Sequence, residues 1–107
     1  MFIARNTKLT LAKNSKIILD NSKVYIGHTT DCDCEFKTKI ILKNASNLKF
    51  NHGDVSLNDC CITLYEGASL NLKNFVMSAG SLIRLKNETK FGDNVIIARM
   101  CFITDLD

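Results

Sequence analysis

Two clusters in this chain have residue types that bind metals or activate nucleophiles. Cys32-Asp33-Cys34 follows His28, and Cys60-Cys61 follows His52. Thiolate and imidazole are the ligands of tetrahedral zinc, but such sites usually separate paired cysteines by about two to four residues so that both sulfurs reach one ion. A C-x-C and an adjacent C-C lack that geometry, so no metal is expected. His28 and His52 fall in the turn-like stretches Gly27-His28 and Asn51-His52-Gly53-Asp54, where a surface histidine is the ordinary outcome. Glu66-Gly67-Ala68-Ser69 offers an acid and a hydroxyl with no base at a recognisable spacing, and reads as a corner. Asp105 and Asp107 flank Leu106 near the end of the sequence. No glycine-rich phosphate loop, catalytic triad or paired-carboxylate motif stands out.

What must position these groups is a train of fourteen apolar-x-apolar doublets. They start at Leu9, Ile17, Val24, Cys32, Ile40, Leu48, Val55, Ile62, Leu70, Val76, Ile83, Thr89, Val95 and Cys101, at intervals of six to eight that settle to six. A β-strand turns alternate side chains to opposite faces, so each doublet directs two apolar residues inward and its middle residue outward. So tight a recurrence leaves no room for crossover helices, and no helical stripe is sustained over three turns. The pattern predicts an all-β, single-stranded parallel β-helix of about five coils with three strands each. Asn14-Ser15, Asp20-Asn21, Asn44-Ala45, Asn58-Asp59 and Asp93-Asn94 suit its corners, since Asn and Asp tolerate left-handed backbone.

Taking every third doublet sorts the outward residues into three columns. One reads Tyr25, Lys49, Asn71, Lys90, and another Thr10, Asp33, Ser56, Met77, Ile96. The third reads Ile18, Ile41, Thr63, Arg84, Phe102. The second of these turns apolar toward the C-terminal end, and the third is partly apolar. Outward apolar residues call for a cover, so Met77, Ile96 and Phe102 are expected at a subunit interface. Cys32, Cys34 and Cys101 are expected inward, as small hydrophobes.

A length of 107 residues suits one domain, with irregular coils over 1–84 and regular ones over 85–107. Net charge is only +3, and Lys and Arg occur mostly singly among Asn, Asp and Ser. No nucleic-acid stripe or polybasic membrane patch is therefore expected. No apolar run suits a signal peptide or a membrane span, and five cysteines without an export signal suggest reduced thiols in a cytoplasmic protein.

The tail runs Leu85-Lys-Asn-Glu-Thr-Lys, Phe91-Gly-Asp-Asn-Val-Ile, Ile97-Ala-Arg-Met-Cys-Phe, Ile103-Thr-Asp-Leu-Asp. It resembles the hexapeptide-repeat acyltransferases, most closely the sugar and polysaccharide O-acetyltransferases, and the match covers roughly residues 85–107. The resemblance implies a left-handed coil with triangular cross-section, a homotrimer, and acetyl-CoA as acyl donor. It also implies transfer to a sugar hydroxyl activated by a histidine general base. That histidine would follow shortly after Asp107, while Asp105 and Asp107 would help hold the acceptor. His28 and His52 match no catalytic position of the pattern. The chain is thus expected to be the N-terminal portion of such an enzyme, inactive by itself. A non-catalytic scaffold or self-assembling coil, similar in spirit to bactofilins, is the alternative, motivated by the missing base and the uncapped C-terminal coil.

Overall fold

A computed structural model of the chain describes residues 2–3, 7–27 and 38–105, with Asn21 and His52 described in their backbone only. Among these residues there are twelve strands and no helix. They are β1 (Phe2–Ile3), β2 (Thr7–Leu11), β3 (Lys16–Ile26), β4 (Thr38–Leu42), β5 (Asn47–Leu57), β6 (Cys61–Leu64), β7 (Ser69–Leu72), β8 (Phe75–Met77), β9 (Leu82–Leu85), β10 (Glu88–Lys90), β11 (Val95–Ile97) and β12 (Phe102–Thr104). Every pairing between them is parallel.

The ladders form three faces, which the chain visits in rotation: a parallel β-helix. The first face stacks β2-β4-β6-β9-β12. The second stacks the front halves of β3 and β5 with β7 and β10, and the third stacks β1, the back halves of β3 and β5, β8 and β11. The eleven-residue strands β3 and β5 serve two faces each, carrying the ladder through Asp20–Ser22 and Asn51–Gly53. Asp20-Asn21, expected as a corner between separate strands, thus lies inside a continuous one.

Alternation builds the core. Ile40, Ile62 and Ile83 stack on the inner side of the first face, and Leu42, Leu64 and Leu85 beside them. Leu48 and Leu70 line the second face, and Val55 with Phe75 the third. All are essentially sealed from solvent. Burying each such side chain contributes about 1.5–3 kcal/mol. The Phe75 ring also packs against Phe91, with centroids 5.2 Å apart.

The corners need left-handed backbone, and positive φ recurs in columns. Asn14, Ala45 and Gly67 occupy the corner from the first face to the second. Asn74 and Asn94 lead into the third face, and Asp59, Gly80 and Met100 lead back to the first. The expectation that Asn and Asp would turn the corners therefore holds at Asn14, Asp59 and Asn94, while in Asn44-Ala45 the left-handed residue is Ala45.

Three details differ from the pattern reading. The Cys32-x-Cys34 doublet lies outside the described residues, and the faces before and after it, at Val24 and Ile40, are already consecutive. Counting it as a rung displaces the first coil's columns: Ile18 stacks on Lys49, Thr10 on Ile41, and Tyr25 on Ser56. Next, the weak doublet at Val76-x-Ser78 is really Phe75-x-Met77, with Val76 outward. Last, Ile103 rather than Cys101 stacks on Ile83. The corner through Ala98–Cys101 takes up the difference, so even the closing coil is longer than three hexapeptides. Ile40, Ile62, Ile83 and Ile103 follow one another up the first face, each coil slightly shorter than the one before it.

Candidate functional site

Of the residues marked for chemistry, Asp105 is the one described on the last coil. At the first corner of each earlier coil, the N–H following the strand donates to a carbonyl of the next coil. Ala12 donates to Leu42 (2.8 Å), Lys43 to Leu64 (2.9 Å) and Tyr65 to Leu85 (2.8 Å). In the same position Lys86 N–H donates to Asp105 Oδ1 at 2.7 Å, and Asn87 N–H donates to Asp105 Oδ2 at 3.0 Å. Asp105 is aligned with Leu85 through its own N–H, which donates to Arg84 O. A carboxylate thus closes a ladder that a backbone carbonyl closes elsewhere. Desolvation pushes its pKa up, but the two backbone donors outweigh this and hold it below the ordinary carboxylate value.

Asp107 lies outside the described residues, as do His28, Cys32 and Cys34; the His52 side chain is not described either. Cys60 is buried, and desolvation first, then the neighbouring Cys61 and Asp59, push its thiol up to about 12. Such a thiol is no nucleophile at neutral pH. It stacks in an inward column with Thr38, Ser81 and Cys101. The Ser81 hydroxyl donates to Ala98 O at 2.6 Å and accepts from Cys101 N–H at 3.2 Å, which ties down the last corner. Among the described residues no three His, Cys, Asp or Glu side chains are grouped to hold a metal ion.

The interface residues divide. Ile96 is 77% exposed and Phe102 56%, and with Met100 they flank the corner between the third and first faces. Met77 is fully buried and points into the core, because β8 starts one residue earlier than the pattern suggests. Val76 takes the outward place and joins a column of Phe2, Tyr25, Ser56, Val76 and Ile96 down the third face.

Sequence reading missed the asparagine bonds between coils. Asn74 Oδ1 accepts from Asp54 N–H at 3.1 Å, and Asn51 Nδ2 donates to Asn71 Oδ1 at 3.3 Å. Their only advance signal was the frequency of Asn near the corners. A hollow of about 320 Å³ beside Phe2, Ser22, Lys23, Val24 and Tyr25 combines one lysine with the hydroxyl-bearing Ser22 and Tyr25, and its lining includes no acid or imidazole. Among the described residues no helix is long and apolar enough to cross a membrane. Compared with protein-family models, curated proteins and solved structures, the chain matches none.

Proposed function

We propose that this chain forms the N-terminal coils of an acetyl-CoA-dependent O-acetyltransferase that modifies a sugar or surface-polysaccharide hydroxyl. The observation that supports this most is the tail over 91–107, which resembles the segment preceding the catalytic loop of those enzymes and whose described part, 91–105, lies on a parallel coil. In this reading the coil is left-handed and the protein a cytoplasmic homotrimer, with Ile96 and Phe102 between subunits and Val76 in place of Met77. The base is a histidine beyond Asp107. Asp105 has both oxygens bonded to its own chain, yet a carboxylate has about four lone-pair sites, so an acceptor hydroxyl can still donate to it. Asp107 would join it. Acetyl-CoA supplies the acyl group and no metal is required.

A second reading, a non-catalytic self-assembling coil, is favoured by two observations. Each coil between successive first-face isoleucines, from Ile40 through Ile62 and Ile83 to Ile103, is longer than the three hexapeptides of a regular repeat. Leu11 and Leu19, which continue the inward columns of Leu42 and Phe50, are 52% and 46% exposed, an apolar end open to another coil. The two readings separate in one assay. The product of the whole reading frame should move labelled acetyl from acetyl-CoA to polysaccharide and sediment as a discrete trimer. Filaments without transfer would establish the scaffold instead.

A further inference from the structure

Winding collects what the linear sequence scatters. On the first face Lys8 and Lys39 are directly opposed on β2 and β4. Around the adjoining corner stand Lys43 and Lys86, and on the second face Lys49, Asn71 and Lys90 stack in register. All these lysines point outward, and all but the half-buried Lys49 are exposed. Lys43 Nζ lies 4.6 Å from the Tyr65 ring centroid, which fixes its stem across two rungs. The acids on this side are Asp20, Glu66, Glu88 and Asp105. Glu88 meets Lys90 at 3.5 Å, and Asp105 is engaged by backbone. The third face is different: Lys23 is opposed by Asp54, and Lys73 pairs with Asp93 at 3.4 Å. The excess positive charge of the described residues is therefore concentrated on two faces and the corner between them.

Like charges opposed across neighbouring strands, about 4.8 Å apart, destabilise a sheet, so Lys8 over Lys39 is a cost to the fold that an anion would relieve. We infer that these two faces bind a linear acidic polysaccharide, with the lysines on its carboxylates and Thr10, Asn47 and Asn71 on its hydroxyls. The sparse lysine rows interleaved with neutral hydrogen-bonding side chains suit a sugar chain better than a nucleic acid. Single strands are held on open aromatic platforms. Amid these lysine rows the described ring is Tyr65, whose face Lys43 occupies, while Phe102 sits three strands from Lys39. Duplex recognition needs an element that enters a groove, and flat faces offer none. The inference relies on the proposed acetyl transfer only in calling the polymer an acceptor; binding itself stands apart.

The test is binding of polygalacturonate to the 107-residue chain by isothermal titration at two salt concentrations, without acetyl-CoA, so that it does not depend on catalysis. Neutral dextran and a mixed-sequence single-stranded oligonucleotide serve as comparisons. Polygalacturonate should bind, weaken with added salt, and lose about tenfold in affinity in the Lys39→Gln/Lys43→Gln/Lys49→Gln variant. The variant Lys23→Gln/Arg99→Gln, with one change on the third face and one in the corner after it, equal in folding by circular dichroism, should stay within about twofold. Absence of binding, equal losses in both variants, or tighter binding of the oligonucleotide would each overturn the inference.

Discussion

Asp105 is the residue where local chemistry and fold are most closely tied. Its lowered pKa fixes the sign of a pH effect. Its contribution to stability is fully present above the ordinary carboxylate value of about 4 and is lost as the pH falls from there through the lowered folded value. Amide hydrogen exchange at Lys86 and Asn87 should accelerate over that window relative to the intrinsic rate. In Asp105→Asn these amides should be less protected at pH 7, and the pH step should vanish. Cys60 gives the opposite case. With its thiol pushed up to about 12, roughly one molecule in ten thousand is thiolate at pH 8. Iodoacetamide followed by peptide mass spectrometry should label Cys61 and Cys101, both half-buried, well before Cys60. Equal labelling would mean that the column of Thr38, Cys60, Ser81 and Cys101 is open.

At the scale of the strand and corner, the apolar alternation was legible because a period of two admits one inward set. The starts at Ile40, Leu48, Val55, Ile62, Leu70 and Ile83 all lie where the doublets placed them. What escaped was the length of corners. Short and long corners carry similar Asn, Gly and Ser, so Cys101-x-Ile103 could not be told from a rung in register with Ile83. Corners also yield a prediction. Gly53 (φ +73) and Gly67 (φ +76) share a backbone, but a Cβ on Gly67 meets nothing, whereas one on Gly53 would fall on the Asn74 side-chain oxygen. Ala45, at φ 59 in the corner column of Gly67, already shows that position to tolerate a methyl. Gly67→Ala should therefore cost about 1 kcal/mol in urea unfolding. Gly53→Ala should cost about 1–2 kcal/mol more, because it displaces Asn74 from the Asp54 amide. Equal costs would show that this side-chain bond contributes nothing.

For the molecule as a whole, the chain's direction around three faces decides what its surface can do. The sequence separates its lysines, and only the coil brings Lys8, Lys39, Lys43 and Lys49 to one side. Charge reading along the chain could not see this, since residues stacked on one another, such as Lys8 with Lys39 or Lys49 with Asn71, are separated by a whole coil. The candidate site was legible only in part: Asp105 was singled out, but its engagement with the corner amides depends on a register that residue types alone do not fix. Self-association divides the same way. Ile96→Glu and Phe102→Glu should turn a trimer into monomers in multi-angle light scattering while leaving the fold intact. Met77→Glu, which buries a carboxylate among Leu57 and Ile97, should unfold the chain instead. A wild-type chain that is monomeric at all concentrations would contradict the trimer.

The claim that these coils belong to a sugar O-acetyltransferase is tested most directly by the nucleotide sequence of the source locus just past the codon for Asp107. The expected result is a frame that runs on into a short loop bearing a histidine and then into further coils of the same period. A stop codon there, with no such coding potential beyond it, would contradict the enzymatic reading and leave the self-assembling coil in its place.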